Sequence, residues 1–366
     1  MEKKRIAVLV ASLAKGGIGK MRVRLASAFA QRGYRVDMLL ADLESPYLER
    51  LDPQVRVIPL PTTHPIAGVL PLARHLRRER PDVLLTQRIR VHTLAMRAMG
   101  LAKPPTRVFV TLNTHLSRQL ESLSPEKGRR QLRRLRRHYP RSDGIFAVSR
   151  GVAEDGARLL GMPPSAIRVL PNPTVAPEVF ALAEAPPEHP WFGGKLPVIL
   201  AMGRLEPQKD FPTLLKAFAR VRKARPCRLV ILGEGKLREA LLAEAQELGI
   251  AEDLDLPGFA PNPYPFLAHA ALFVLSSRWE GSPNALVEAL ALGTPCVATD
   301  CPSGPREILK NGRFGPLVAV GDDEALASAM LETLKNPLPS ETLRQAAEPY
   351  GVDRSASAYL EAMGLA

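Results

Sequence analysis

The residues best suited to chemistry are two acids eight positions apart, Glu280 and Glu288, in Trp279-Glu-Gly-Ser-Pro-Asn-Ala-Leu-Val-Glu-Ala-Leu-Ala-Leu-Gly293. Ser282 is a good N-cap, Pro283 suits a first helical position and Gly293 a C-terminal stop, so the segment predicts a helix. Glu280 then falls in the loop before it and Glu288 near its second turn. Free N–H groups at such an end favour a phosphate. Pro283 has none, so Ser282, Asn284, Ala285 and Leu286 are the candidate contacts. The plain alternative is a solvated loop acid and an exposed helix acid.

A second constellation, Gly203-Arg204-Leu-Glu-Pro-Gln-Lys209-Asp-Phe, lies between a strand and a helix. An arginine fork with a lysine five positions on would clamp a diphosphate; two surface cations are the alternative. Lys15-Gly16-Gly17-Ile18-Gly19-Lys20 follows the first strand but has the spacing of neither common phosphate-loop motif. It says only that backbone passes close to something. His115, just past a first-half strand, would hydrogen-bond or polarise a hydroxyl, unless it is a structural histidine. Asp253-Leu-Asp255 sits at the start of a predicted strand, away from the ends where ligands gather, and no H-E-x-x-H spacing occurs. No protein-held metal is expected.

Alternating elements must position these residues. Ile6–Val10, Arg35–Leu40, Val83–Thr86, Val108–Thr111, Ile145–Val148 and Ile167–Leu170 are short, branched-rich runs suited to a parallel sheet. A loose segment, Pro171 to Pro197, follows. The pattern restarts with Pro197–Ala201, Arg228–Leu232, Leu254–Leu256, Leu272–Leu275 and Pro295–Ala298, between helices such as Asp210–Ala224 and Lys236–Leu248. The economical reading is α/β: two Rossmann-like, doubly wound domains facing across a cleft, with ligands at the strands' carboxyl ends. The expected boundaries are 1–180, a linker at 181–196, a second domain at 197–345, and a terminal segment at 346–366 with a helix at Ser355–Leu365. Lys3-Lys4-Arg5 and the apolar run after it resemble a leader peptide, but they continue into a glycine turn and a helix stopped by Gly33, so a strand is the better reading.

Composition narrows the class. With 46% hydrophobic and 24% charged residues, the chain is neither disordered nor a disulfide scaffold. Cys227, Cys296 and Cys301 form no C-x-x-C pair. The net charge of +13 is uneven: residues 1–180 hold 32 Lys+Arg against 14 Asp+Glu, and the remainder 18 against 23. The basic half suits an anionic partner. Its densest run includes Arg129, Arg130, Arg133, Arg134, Arg136 and Arg137, with Leu132 and Leu135 on one helical face and Leu116, Leu120 and Leu123 extending an apolar stripe upstream. Such a helix suits an anionic leaflet, with a solvated helix face as the alternative. Nucleic acid is not expected, because the stretch lacks aromatic residues for stacking.

Read in order, Val198–Phe211, Gly233-Glu-Gly-Lys-Leu-Arg238, Leu256-Pro-Gly-Phe259, Ser276–Asn284 and Gly293–Asp300 closely resemble the C-terminal domain of family 4 glycosyltransferases of the GT-B fold. The resemblance covers about 150 residues, including the E-x7-E signature at Glu280 and Glu288. Cys301-Pro-Ser-Gly-Pro-Arg-Glu-Ile308 is similar to the branch of bacterial polysaccharide, lipopolysaccharide and lipid-linked oligosaccharide enzymes. The first half matches more loosely, through Gly16-Gly17, His115, Ala147–Val152 and Pro171-Asn-Pro173. The resemblance implies retaining transfer from a nucleotide-sugar, UDP-sugar favoured, to a lipid-linked or cell-surface glycan without a required metal or cofactor. It implies that Arg204 and Lys209 hold the donor diphosphate, Glu288 the ribose, Glu280 the sugar near its reacting carbon, and the Gly258-Phe259 backbone the base. Gly17 would let the first-half loop approach the phosphates and His115 would touch the sugar. It also implies that 197–345 is the donor-binding domain, that the terminal helix in 346–366 crosses back to the N-terminal, acceptor-side domain, and that the protein is cytoplasmic, lying peripherally on the inner membrane face. A soluble transferase with a small sugar or sugar-phosphate acceptor, a sugar-nucleotide epimerase and a non-catalytic nucleic-acid binder are the alternatives. The glycine loop departs from the pattern at Ile18-Gly19-Lys20.

Overall fold

The computed structural model describes residues 3–13, 17–45 and 47–366. It divides into two compact units, Met1–Pro173 with Gly351–Ala366, and Thr174–Tyr350. The second unit thus takes in the whole stretch expected as a linker. The segment Pro171 to Pro197 is less loose than its Pro, Glu and Ala content suggests, since it contains a seven-residue helix at Pro177–Ala183.

In chain order, unit 1 contains β1 (Arg5–Ser12), α1 (Gly17–Gln31), β2 (Arg35–Asp42), β3 (Arg56–Pro59), α2 (Val69–Glu79), β4 (Val83–Gln87) and α3 (Ile89–Ala102). It continues with β5 (Arg107–Leu112), α4 (Leu116–Glu121), α5 (Pro125–His138), β6 (Gly144–Ala147), α6 (Arg150–Leu160) and β7 (Ile167–Val169). The sheet is ordered β3-β2-β1-β4-β5-β6-β7, and every pairing is parallel. Its strands carry apolar residues on both faces because helices cover both. Ile6, Val8 and Val10 pack with α1, while Ala7 and Leu9 pack with α2 and α3.

β3 escapes a sequence search. It is a four-residue edge strand that starts with an exposed Arg56 and ends on Pro59, and it pairs only with β2. Proline is tolerated at such an edge, where no further ladder bond is needed.

Unit 2 contains α7 (Pro177–Ala183), β8 (Val198–Met202), α8 (Phe211–Ala224), β9 (Arg228–Leu232), α9 (Arg238–Glu247), β10 (Leu254–Gly258), α10 (Tyr264–His269) and β11 (Leu272–Leu275). Then follow α11 (Asn284–Leu292), β12 (Cys296–Thr299), α12 (Pro305–Ile308), β13 (Leu317–Val318), α13 (Asp323–Lys335) and α14 (Ser340–Ala347). This sheet is also parallel, ordered β10-β9-β8-β11-β12-β13. Strand order reverses between β1 and β4 in unit 1 and between β8 and β11 in unit 2. At such a switch point, adjoining loops diverge and leave a crevice at the carboxyl edge.

The chain ends in α15 (Val352–Ala362), which belongs to unit 1. Tyr359, Leu360 and Met363 are buried in the same core as Phe29 and Phe146, and Tyr359 meets Phe146 edge to face. Each such side chain contributes roughly 1.5–3 kcal/mol of apolar burial. The Tyr34 hydroxyl donates to the Leu365 carbonyl at 2.7 Å and fastens the last turn.

Candidate functional site

Two loops leave the switch point of unit 2, residues 203–210 after β8 and 276–283 after β11. Polar bonds stitch them together. The Ser276 hydroxyl donates to the Lys209 carbonyl at 2.8 Å, the Arg278 N–H to the Gln208 carbonyl at 2.8 Å, and the Gln208 amide to the Trp279 carbonyl at 2.8 Å. Asp210 sits in left-handed backbone conformation at φ 50°, buried, and accepts from Arg278 and from the Thr213 hydroxyl, each at 3.0 Å.

This frame brings the Lys209 ammonium to 2.5 Å from Glu280 Oε1, which also accepts from the Ser277 hydroxyl at 2.7 Å. The Glu280 side chain is 9% exposed, so it is no solvated loop acid. Its backbone N–H donates to the Pro302 carbonyl at 3.0 Å, tying the loop to the Pro302–Gly304 turn. Gly304 is required there: at φ 101°, a Cβ would stand 2.5 Å from Pro283 Cδ. Burial first, then the Glu280 charge, pushes the neighbouring Cys301 thiol far up, so it stays protonated and is no nucleophile.

Helix α11 begins one residue later than its sequence suggests. Pro283 is the N-cap and Asn284 the first helical residue, while Ser282 is buried in the preceding loop. The ring of Pro283 fixes φ at −70°, but its ψ of 98° is extended, so the helix cannot start on it. The Leu286 N–H already donates to the Pro283 carbonyl at 3.1 Å and the Leu286 side chain is fully buried. The Asn284 side chain accepts from the Thr174 hydroxyl at 3.0 Å. Ala285, in the first turn and half-buried, lacks an i−4 carbonyl inside the helix. Glu288 is 1% exposed, with the Tyr264 hydroxyl 3.4 Å from its Oε1. An exposed helix acid is thereby excluded.

Arg204 stands at the rim, exposed and paired with Glu206 at 3.0 Å. Beside it, the β8, β9 and β10 ends approach closely. The Gly203 N–H donates to the Leu232 carbonyl at 2.9 Å and the Gly233 N–H to the Gly258 carbonyl at 2.7 Å. A Cβ on Gly233 would lie 1.9 Å from the Gly203 carbonyl oxygen. Phe259 follows, half-buried. Asp253 and Asp255 face Arg222 at 2.6 Å and His189 at 2.9 Å, and among the described residues no three His, Cys, Asp or Glu gather as metal ligands.

In unit 1, Gly17 opens α1, so the helix starts four residues ahead of the Met21 expectation. Gly16, with Lys15, lies outside the described residues. His115 is the N-cap residue of α4, and its Nδ1 lies 3.3 Å from Asp155 Oδ2 without making a hydrogen bond. Burial lowers its pKa against the opposing pull of Asp155, so the ring is neutral at pH 7. Asp155 is held by the Ser117 N–H at 2.9 Å, the Ser117 hydroxyl, and Arg158 at 2.6 Å. Burial pushes its carboxyl up, yet the Ser117 bonds, His115 and Arg158 outweigh that and leave it below the usual range.

Sequence reasoning missed Asp155 and Ser117. The one available signal is an acid among the buried positions of α6, beside Val152, Ala153 and Ala157. Gln208, Ser276, Ser277 and Arg278 lie inside the motifs that carry the resemblance, but their part in stitching the loops together was not read from them. The basic helix α5 differs from expectation as well. Leu135 is fully buried and Leu116 and Leu120 pack into the same core, so this part of the apolar stripe faces the protein, while Leu123 and Leu132 are half-buried. Arg129, Arg130, Arg133, Arg136 and Arg137 point outward, with Arg134 half-buried.

Two family models match the chain. Residues 15–175 match "Glycosyltransferase Family 4" and residues 187–350 match "Glycosyl transferases group 1". The chain is similar to the N-acetylgalactosamine-N,N'-diacetylbacillosaminyl-diphospho-undecaprenol 4-alpha-N-acetylgalactosaminyltransferase of Campylobacter jejuni, with 35% identity over 57% of this chain and 54% of that one. The match thus spans about half the length of that relative. The lipopolysaccharide core biosynthesis glycosyltransferase LpsE of Rhizobium meliloti is 28% identical over 86% of this chain and 84% of that one. Among solved structures, the lipopolysaccharide outer core galactosyltransferase WaaB shares the fold at TM-score 0.72, 19% identity and 99% coverage of both chains. Anabaena Alr3699/HepE, solved with UDP and glucose, shares it at TM-score 0.76, 17% identity and 99% coverage of both. No helix among the described residues is long and apolar enough to cross a membrane.

Proposed function

Because the chain belongs to the family 4 and group 1 glycosyltransferases and has their GT-B fold, we propose that it is a retaining transferase that moves a sugar from a nucleotide-sugar to a lipid-linked or cell-surface glycan. The observation that carries this reading is the Lys209–Glu280 pair at the switch point of unit 2, with the first turn of α11 beside it. UDP-sugar is the favoured donor, in line with the UDP named for the Anabaena neighbour. A membrane-borne acceptor fits the diphospho-undecaprenol in the Campylobacter relative's name.

The reaction breaks the bond between the sugar's C1 and the donor phosphate oxygen, and the electron pair leaves on the diphosphate. The acceptor hydroxyl oxygen bonds to C1 on the same face, and its proton passes to the departing phosphate oxygen. Negative charge therefore develops on the diphosphate, where Arg204, Lys209 and the α11 N-terminus stabilise it. This arrangement supplies leaving-group stabilisation from the chain's own cations. Glu280 Oε1 already accepts from Lys209 and Ser277, which quenches its nucleophilicity. We therefore assign it to orienting the sugar. Glu288 would take the ribose, backbone at Gly258-Phe259 the base, and His115, neutral, a sugar hydroxyl. A thermal-shift panel of UDP, GDP, ADP and NAD, repeated on Arg204→Ala and Glu288→Ala, tests the site. Stabilisation by UDP that weakens in both variants is expected. Stabilisation by NAD alone, or by UDP equally in both variants, overturns it.

A further inference from the structure

Helix α1 contains no acidic residue, yet it buries Lys20, Arg22 and Arg24. Arg22 is 4% exposed. Its Nε donates to Gln87 Oε1 at 2.8 Å, and among the described residues no carboxylate pairs with it. A buried guanidinium costs free energy unless an opposite charge answers it. Elsewhere the chain supplies that charge: Arg5 meets Glu79, and Lys209 meets Glu280. At Arg22 it supplies only an amide.

The amide that Arg22 meets stands at the carboxyl end of β4, beside the β1/β4 switch point of unit 1. Gln87 is the last residue of β4 and lies in register with Thr111 of β5. Both side chains face the α1 side of the sheet, as Leu85 and Phe109 do two positions earlier. Thr111 is buried, and its hydroxyl has no hydrogen-bond partner. After Gln87 the backbone turns through Arg88 at φ 58° and ψ 139°, a strained conformation for a residue with a Cβ. Helix α3 then starts at Ile89, and its first N–H groups have no carbonyl behind them in the helix. One edge of the sheet thus carries a guanidinium fork, an unpaired hydroxyl and the N-terminus of a 14-residue helix. All three offer donors, at the place where an α/β sheet takes its ligand.

We propose that this switch point binds a phosphate group of the acceptor through Arg22, with the Thr111 hydroxyl and the α3 N-terminus as further donors. The donors select the ligand's chemistry. A sugar hydroxyl leaves the Arg22 charge unanswered, and a carboxylate brings two oxygens to three sets of donors. A phosphate ester brings both the charge and enough acceptor oxygens, in a geometry that the guanidinium fork matches. Arg22 then serves recognition of the acceptor's non-reacting part, while Arg204 and Lys209 keep the donor diphosphate. This inference rests on the transfer reading of the preceding section and narrows its acceptor to a phosphorylated one. A lipid-borne diphosphate and a soluble sugar phosphate share that chemistry.

The test is isothermal titration of inorganic pyrophosphate into the full chain saturated with UDP, which fills the donor site. One further site is expected. Arg22→Gln should weaken it about thirtyfold, Arg22→Lys about tenfold because the charge stays while the fork goes, and Thr111→Val about fivefold. Melting midpoints without pyrophosphate give a second readout. A guanidinium kept for the fold makes Arg22→Gln less stable, whereas one kept for a ligand leaves the midpoint level or raises it. No pyrophosphate binding to the UDP-saturated chain, equal binding by parent and Arg22→Gln, or a lower midpoint with binding intact would each overturn the proposal. If Arg22→Gln is both less stable and unable to bind, Thr111→Val decides, and parent-like binding there overturns it. Displacement of pyrophosphate by glucose 6-phosphate upholds the site and assigns it to a soluble sugar phosphate. Displacement by farnesyl diphosphate alone upholds it for a lipid-borne acceptor, and displacement by neither overturns it. UDP binding is measured first. If UDP does not bind while pyrophosphate binds in an Arg22-dependent way, the donor site fails and this one stands.

Discussion

Lys209 is given two tasks, since it pairs with Glu280 at 2.5 Å and is assigned to the donor diphosphate. The two partners must then compete, and replacing each separates them. Lys209→Met keeps the volume and removes the cation. Breaking a buried pair costs about 3–5 kcal/mol. Here the side chains are 17% and 9% exposed and Ser277 still donates to Glu280, so about 2–3 kcal/mol of stability is the expected loss. The variant also loses one charge-assisted hydrogen bond to phosphate, about 1.5–3 kcal/mol, or about 10- to 150-fold in UDP affinity. Glu280→Gln does the opposite to the ligand. It releases Lys209 and removes a negative charge beside the diphosphate, so UDP should bind as well as before or more tightly, although sugar transfer collapses. Isothermal titration of UDP into both variants and their double measures this directly, with urea unfolding run alongside. If Glu280→Gln weakens UDP tenfold or more, Glu280 and the diphosphate do not compete for Lys209 and the assignment of the clamp is wrong.

Gly233→Ala should destabilise unit 2 by more than about 3 kcal/mol, since its Cβ would fall 1.9 Å from the Gly203 carbonyl oxygen and φ there is 144°. Parent-like urea unfolding would contradict that approach. Asp155→Asn removes the charge that raises the His115 pKa, so the ring should titrate lower still, and transfer should slow while UDP affinity holds; an unchanged His115 titration by NMR refutes the coupling. Burial holds His92 down to about 3, with the Thr86 hydroxyl 2.9 Å from Nδ1 and the Ser142 hydroxyl 3.1 Å from Nε2. The unfolded chain therefore binds one more proton from about pH 6.5 downward, and stability present above that value is lost as pH falls, by about 1.4 kcal/mol per pH unit for this group. His92→Asn should flatten the acid limb of a pH-dependent melt by one proton; an unaltered slope counts against it.

How much was legible depends on how locally each feature is encoded. Strands flanked on both faces by helices are continuous apolar runs, which is why β9 was found at its exact bounds and β1 within two residues. The edge strands β3 and β13 were missed because an edge needs apolar residues on neither side for long: Arg56 and Pro59 sit in one, and the other has two residues. The acids Glu280 and Glu288 could be singled out because a loop and a helix with recognisable caps fix their spacing. Asp155 could not, because the partner that gives it a role, His115, lies forty positions away on another helix.

The leucines of α5 show the same limit from the other side. Periodicity identifies which residues share a helical face, and Leu132 and Leu135 do. It does not say what that face meets. Leu135 is buried in one core with Val110 and Ile145 of the sheet, which leaves most of the arginines outward, while Leu132 stays half-buried. The charge excess of the first half can be summed from the sequence alone, because charge adds over any arrangement. Apolar contact does not add in that way. It is decided residue by residue by what the fold leaves uncovered, and that required the packed helices.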